Sequence, residues 1–309
     1  MRDAFAAAIT AAAARDDRVV LLTADVGNRL FDTFRERFPD RFVNCGVAEA
    51  NMVGVAAGLA LDGLRPFAYS IAPFVVIRAL EQIRIDVCSH AAPVTIVGTG
   101  AGLAYGALGA THHACEDVAV LRCLPGMAVV CPADGAETAA AVAALVDRGG
   151  PAYLRLGKKG EPDVHEAPPA FTIGRAILLR EGADVCLLGC GTLTAATLAA
   201  ADLLAAAGVA ARVASLHTVK PLDDALLADC FDRFPLVVVA EEHGTIGGLG
   251  AAVAEWRTNH ARQGGGLECI GTPDAFLHAA GSQAWLRERC GLSAGGIATR
   301  VLERLGRSP

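Results

Sequence analysis

At 309 residues the chain is long enough for two ordinary domains, and 53% hydrophobic with 19% charged residues describes a globular protein with a sizeable core. A formal net charge of −6 argues against nucleic acid or an anionic membrane surface as the main partner. No uncharged apolar run reaches the roughly 20 residues that span a bilayer.

The opening MRDAFAAAITAAAARDD carries charges too early and too often for a signal peptide, so a cytoplasmic protein is expected. Ten cysteines show no C-x-x-C spacing, and several sit in apolar stretches (Cys88, Cys123, Cys131, Cys186). That usage predicts buried, reduced thiols rather than disulfides or a metal centre.

Strand-like and helical runs alternate along the chain, the pattern of a doubly wound α/β protein with a largely parallel sheet. Residues 4–14 read as a helix and RVVLLTA (18–24) as a buried strand. GVAEANMVGVAAGLA leads a helix over 48–62; PFAYS (66–70) is a short strand, and 74–89 another helix. PVTIVG (93–98) is a strand that runs into a glycine-rich loop ending near 111. GMAVVCP (126–132), AETAAAVAALV (136–146) and PAYLRL (151–156) give strand, helix, strand. The polar, proline-bearing GKKGEPDVHEAPPAF (157–171) has the composition of a linker. Beyond it come DVCLLG (184–189), a helix over 195–207, a strand ARVASLHTV (211–219) and a helix over 223–233. LVVVAEE (236–242), a helix over 249–262 and a terminal helical stretch follow. Two units result, 1–157 and 172–309, joined by 158–171.

Several stretches could carry chemistry. GTGAGL (98–103) follows a strand, but its G-x-G-x-G spacing misplaces the third glycine of a dinucleotide fingerprint and no helix follows at once. GCGT (189–192) is shorter still, and no G-x-x-x-x-G-K-[ST] occurs. THHACED (111–117) puts two histidines where α/β proteins bind ligands, at the carboxyl end of a strand; on its own it fits a solvated loop equally well. AEEHGTIGGLG (240–250) sets Glu241, Glu242 and His243 ahead of a glycine-rich helix start and is equally consistent with an interface loop.

Glu49, at the head of an otherwise small and apolar helix, has two readings. A carboxylate in the first turn faces the positive end of the helix macrodipole, typically worth under ~1 kcal/mol. A buried carboxyl can instead hold or donate a proton near neutrality.

Taken together, GVAEANMVGVAAGLA, FVVIRALEQIR (74–84) and GLAYGALGATHHACEDVAVLRCLPGMAVVCPAD (102–134) resemble the pyrimidine-binding domain of the transketolase family. SLHTVKPLD (215–223) and VVVAEEHGTIGGLGAAVAEW (237–256) resemble the same enzymes' C-terminal domain. The resemblance spans nearly the whole chain. It implies an α/β fold of two doubly wound domains and thiamine diphosphate as cofactor, with Glu49 bonded to N1′ of the aminopyrimidine. It assigns Phe74 to stacking on that ring, and Asp25 and Arg78 to the cofactor side of the site. His112 would contact substrate oxygens and act with Glu49 in catalysis. Arg2 and Lys158 fall where the family has arginines that bind substrate phosphate. The family carries an acidic residue at the position of Leu108 and a substrate-binding histidine at that of Gly100. Lys158 turns a bidentate fork into a point charge, and Arg29 is a candidate replacement anion contact.

The family's G-D-G…N motif, which holds Mg²⁺ and the diphosphate, is missing. The resemblance therefore implies the C-terminal, or β, half of a split transketolase that moves a two-carbon ketol unit between sugars. It would work with a separate diphosphate-binding subunit in an α₂β₂ heterotetramer, with the Mg²⁺ ligands on that partner and no metal ligand here. The alternatives are a subunit like deoxyxylulose-phosphate synthase or like the β chain of a 2-oxoacid dehydrogenase, a non-catalytic scaffold of the same fold, or a nicotinamide-binding oxidoreductase.

Overall fold

The computed structural model describes residues 1–27, 29–262 and 264–307; positions 308 and 309 of the second expected unit lie outside the described residues. The first half carries α1 (Arg2–Ala13), β1 (Val19–Thr23), α2 (Asp32–Arg37), β2 (Phe42–Asn44), α3 (Glu49–Leu61) and β3 (Arg65–Ile71). A helical stretch follows in which π-type turns, Phe74–Arg78 and Ile83–Ser89, flank one α turn, α4 (Leu80–Gln82). β4 (Thr95–Thr99), α5 (Asp117–Arg122), β5 (Ala128–Val130), α6 (Gly135–Arg148) and β6 (Ala152–Leu156) complete it. The second half runs β7 (Ile177–Arg180), β8 (Val185–Cys190), α7 (Thr194–Ala206), β9 (Ala211–Ser215), β10 (Thr218–Lys220) and α8 (Asp224–Arg233). It ends with β11 (Leu236–Gly244), α9 (Leu249–Asn259), β12 (Gly266–Thr272), α10 (Gln283–Arg289) and α11 (Ala294–Arg304).

These strands form a seven-stranded sheet, β10-β5-β6-β4-β3-β1-β2, and a five-stranded sheet, β12-β11-β8-β9-β7. Both are parallel except for one edge strand each, β10 and β7. The doubly wound α/β expectation therefore holds for both sheets. One expected strand is two: the run 211–219 breaks after Ser215, and β10 crosses over to pair with β5 of the first sheet. The crossing is pinned where Cys131 N donates to His217 O at 2.7 Å and where the His217 ring stacks on Phe171. Five elements go beyond the expected ones: α2, β2, α5 and β7, none longer than six residues, and the seven-residue β12.

Burial follows the pattern of apolar residues. α1 and α6 cover one face of the first sheet, packing Phe5, Ile9, Val142 and Leu145 against Leu21, Phe67 and Leu154. On the opposite face α3 buries Met52, Val53, Ala56, Ala57 and Ala60, and this cluster continues into Cys186, Leu188, Val237 and Trp256 of the second half. The two sheets thus share a core, while α7 and α11 close a separate one on the far side. The ten cysteines are free, as expected, but Cys123 is exposed and Cys88 half-buried, because α5 and the helical stretch turn those positions outward.

The linker is tied down by one helix cap. Asp134 caps α6 by accepting from Glu137 N at 2.8 Å, and the Glu137 carboxylate accepts from Ala133 N, a reciprocal capping box. The second Asp134 oxygen accepts from Val164 N and His165 N, and His165 Nε2 meets Glu137 Oε1 at 2.9 Å. The hydrogen bond to Glu137, opposed by burial, raises the His165 imidazole above its ordinary value of 6.5. A raised histidine stabilises the fold most below its unfolded value, and the stabilisation fades as pH rises through the folded one. His165→Gln should therefore lower the urea midpoint more at pH about 5.5 than at pH about 8.5; an equal loss at both would show that the latch does not use the charged ring.

Candidate active site

The site lies at the carboxyl edge of the first sheet, where a parallel sheet opens its crevice. Helices that run back against the strands bring their amino ends to the same edge, so Arg2 on α1 and Glu49 on α3 arrive beside the strand ends.

Glu49 is 1% exposed and caps nothing; the residue before the helix, Ala48, has no capping side chain either. Its carboxylate turns inward instead. Ser70 Oγ donates to Oε1 at 3.3 Å, and Arg78 Nη1 donates to Oε2 at 2.5 Å. The sequence did not announce this cationic partner. Arg78 is itself half exposed, and its guanidinium lies 4.9 Å above the Phe74 ring. Val75 and Val76 enter the core beneath, whereas Phe74 stays outside it and presents its ring to the cleft. His112 meets that ring edge-on at 5.1 Å, shares a hydrogen bond with Thr111 Oγ1 through Nδ1, and lies 6.2 Å from the Tyr105 ring. Lys158 Nζ sits 4.9 Å over Tyr105. A continuous line of contacts therefore joins Glu49, Arg78, Phe74, His112, Tyr105 and Lys158.

Arg2 reaches the far end of this line by way of its neighbour. Met1 Sδ accepts from Gly157 N, next to Lys158, and the Met1 ammonium pairs with Glu161. Beside Arg2 lies Tyr69, whose phenol burial pushes up to about 12, with Thr99 and Arg2 opposing. The Tyr69 hydroxyl and Arg2 Nε are both buried and lack hydrogen-bond partners. Asp25 and Arg29 line a different cavity, of about 560 Å³, with Asp32, Arg35 and Asn44. Both hold positive φ (55° and 60°), and Asn44 fixes Asp25 by bonding its backbone N–H and its carboxylate.

The three glycines of GTGAGL each make room for a side chain. A Cβ would fall 2.5 Å from the Tyr153 hydroxyl at Gly98, 2.1 Å from the Tyr105 ring at Gly100, and 2.6 Å from Glu242 Cγ at Gly102. Glu242 comes from β11 in the second half and is 1% exposed. It accepts from Leu103 N at 2.6 Å, from Gln283 Nε2 and Thr192 Oγ1, and from Arg287 through two nitrogens. A second buried pair holds the loop's other end. Arg155 grips both oxygens of Asp117 at 2.8 and 3.0 Å and donates to Ala114 O and Glu242 O. Burial pushes the Asp117 carboxyl up, but the charge and hydrogen bond of Arg155, with His243 and the Tyr153 hydroxyl, together hold it below the ordinary value. Behind the loop, His113 and Cys115 face a cavity of about 510 Å³ lined also by Ile246, Thr272 and Phe276. Burial holds the His113 imidazole low and pushes the Cys115 thiol up to about 12.

Sequence reasoning passed over Tyr105 and left Glu242 in a stretch equally consistent with an interface loop. Tyr105 could have been suspected, since a glycine at 100 leaves space for a nearby ring; the structural role of Glu242 gave no signal, because its partner Arg287 lies 45 positions away. Removing one partner of a buried ion pair costs roughly 3–5 kcal/mol. Glu242→Ala should therefore shift the urea midpoint sharply down and speed amide exchange across 100–114, the two readouts moving together. Unchanged exchange in that segment would mean the loop keeps its course without Glu242.

Among the described residues no group of three or more His, Cys, Asp or Glu side chains could hold a metal ion, and no helix is long and apolar enough to cross a membrane. The family description "Transketolase, pyrimidine binding domain" matches residues 1–161, and "Transketolase, C-terminal domain" matches 174–297. The chain is 37% identical, over 95% of its length and 91% of that protein, to the 6-deoxy-6-sulfo-D-fructose transketolase subunit SqwH of Clostridium sp. (strain MSTE9). It is 35% identical, over 98% of its length and 96% of that protein, to a subunit of the apulose-4-phosphate transketolase of Phocaeicola vulgatus. A solved structure described as a split gene transketolase, inactive beta4 tetramer, superposes with a TM-score of 0.91 at 39% identity, covering 100% of this chain and 99% of that one. With both domains matched in order and relatives similar along their whole length, the chain belongs to the transketolase family.

Proposed function

We propose that this chain is the β, or C-terminal, subunit of a split thiamine-diphosphate-dependent transketolase. It would divide into a pyrimidine-binding unit (1–157), a linker (158–171) and a C-terminal unit (172–309). The reaction moves a two-carbon ketol unit from a ketose to an aldose in the cytoplasm. A separate diphosphate-binding subunit would supply the Mg²⁺ ligands and the rest of the active site in an α₂β₂ assembly.

The observation that carries this reading is the buried Glu49 carboxylate joined through the half-exposed Arg78 to an aromatic ring outside the core. Once Arg78 swings aside, the Phe74 face and the Glu49 carboxylate fit a flat heterocycle with a ring nitrogen. Thiamine diphosphate, when bound, supplies the electron sink for breaking and forming the carbon–carbon bond. Glu49 would hold a proton at the pyrimidine N1′ position. Arg78 has to release Oε2 for that, and its half-exposed guanidinium can swing, since its remaining contact among the described residues is the face of Phe74. Asp25, in the turn after β1 and lining a separate cavity, would approach a cofactor across the subunit interface. His112, steadied by Thr111 through Nδ1, leaves Nε2 for a substrate oxygen.

The cations Arg2 and Lys158 suit a substrate that ends in an anionic group, with Arg29 a further anion contact. The two named relatives act on a sulfonated and a phosphorylated sugar, which supports that class. The partner is supported by the outward face of the site: Val47 before α3, Val55 on it, and Ile77 and Ile85 on the 74–89 stretch are exposed apolar side chains.

Mixing the chain with its diphosphate-binding partner, thiamine diphosphate and Mg²⁺ should give ketol transfer that neither chain shows alone. Glu49→Gln should lower kcat by roughly 10²–10⁴-fold, the usual span of proton-transfer catalysis, with assembly intact by size-exclusion chromatography. A fully active Glu49→Gln complex would remove the carboxyl from the mechanism. An inactive wild-type complex across a broad ketose panel would favour a scaffold.

A further inference from the structure

We propose that Tyr105 reads a substrate hydroxyl in this site, taking over from the side chain that Gly100 lacks; the assignment rests on the ketol-transfer reading above. Gly100 and Tyr105 are a matched pair. A Cβ at position 100 would stand 2.1 and 2.2 Å from two carbons of the Tyr105 ring, so a histidine there and this tyrosine pose exclude each other. The backbone at Gly100, with φ +85°, also suits glycine and strains any side chain. The ring fills the vacated space and is held there from three sides. Gly100 lies against one edge, His112 meets it at 6.2 Å with planes 68° apart, and the Lys158 ammonium rests over the face at 4.9 Å.

Its hydroxyl is a functional group without a hydrogen bond in this arrangement. Among the described residues Tyr105 has no hydrogen bond from its side chain, the residue is only half-buried, and its phenol is near enough to the Tyr69 hydroxyl to act on it electrostatically. Leu108, three residues on, is 55% exposed and apolar, and can neither donate nor accept. On this turn of the loop, the hydroxyl of Tyr105 and the imidazole of His112 can pair with a sugar hydroxyl, while the Thr111 hydroxyl is engaged with His112 Nδ1. A phenol both donates and accepts, so it can pair with a neutral hydroxyl in either sense, whereas a carboxylate only accepts. The cation over its face adds a second consequence. Lys158, offered to the anionic end of the substrate, and the Tyr105 hydroxyl are held at a fixed spacing by one contact, so the pair measures the distance between anion and hydroxyl. The substrate class is an aldose phosphate or sulfonate with a hydroxyl within one ring's width of its anionic arm.

The test compares the wild-type heteromeric complex with Tyr105→Phe, using ribose 5-phosphate and other aldose phosphates, each paired with its deoxy analogues. Both kcat/KM and the affinity for each aldose by isothermal titration are read. Loss of one neutral hydrogen bond should lower kcat/KM and affinity about 10-fold for the hydroxylated aldose, with the loss absent for one deoxy analogue. Gly100→Ala should reproduce the loss in the Tyr105 enzyme and cost less in a Tyr105→Ala background, where the ring clash is gone and only the backbone strain at φ +85° remains. Equal losses on hydroxylated and deoxy substrates would make Tyr105 a packing residue and overturn the assignment, leaving the ketol-transfer reading intact. No loss on either would overturn it too. A wild-type complex that binds thiamine diphosphate but transfers no ketol unit onto any aldose defeats the ketol-transfer reading, and this assignment falls with it.

Discussion

The carboxylate of Glu242 belongs to the second sheet and yet decides the course of the loop that leaves the first. A buried carboxylate is tolerable only when enough donors replace its water. Here the donors come from both halves: Leu103 N from the site loop, Thr192 from the turn after β8, Gln283 and Arg287 from α10. Satisfying one charge thus fixes three distant segments at once. The approach is so close that position 102 admits no side chain. Arg155 adds the complementary constraint from inside the first sheet, donating to the carbonyls of Ala114 and of Glu242 itself. Between these two clamps the loop carries Tyr105 and His112 on a rigid base, which is what a preorganised site requires.

The rest of the site is built in the opposite manner. Its floor is strands and buried ion pairs, but its outer wall is a half-exposed Arg78, a Phe74 ring outside the core and a row of exposed aliphatic side chains. The α3 helix shows the same division. One face buries Met52 and Val53 beneath the sheet, while Gly58 on the other has nothing within 4 Å of where a Cβ would stand. Small residues on an uncovered helix face let another backbone come near, and a carboxylate left with one movable partner can exchange that partner. Both features suit the proposed sharing of the site with a second chain.

Much of the architecture was legible because its periodicities are strong. Five-residue buried strands such as VVLLT and AYLRL, and alanine-rich helices with definite faces, leave little choice of fold. Of the elements that escaped, α2, β2, α5 and β7 are too short for a period to register, and the seven-residue β12, GLECIGT, sets two glycines and a glutamate among its apolar positions. The crossover of β10 escaped for another reason: HTV reads as strand whichever sheet receives it, and only the stacking of His217 on Phe171 and the bond to Cys131 decide the matter. In the site, Glu49, Phe74, His112 and Lys158 were reached through the resemblance, since no spacing rule links them. Their joining by Arg78 and Tyr105 is a tertiary fact. A carboxylate 29 positions away in sequence from its cation carries no local mark.

The glycine-rich stretches make the same point more sharply. GTGAGL and HGTIGGLG both follow buried strands, and the second opens a helix, which is the local arrangement that cradles phosphates. Neither cradle is vacant. Glu241 turns its carboxylate onto the start of α9 and accepts from Leu249 N and Gly250 N at 2.7 and 2.8 Å. A Cβ at Gly248 would stand 2.3 Å from that same carboxylate. The helix amino end has its anion already, supplied by the protein. In GTGAGL the space beside each glycine is taken by Tyr153, Tyr105 or Glu242. Glycine in these motifs reports that something approaches the backbone closely, and the sequence does not say what. A phosphate reading needs the space to be empty; a side chain in it converts a binding motif into a packing one, and at Gly100 the side chain that moves in is the one best placed to meet a substrate.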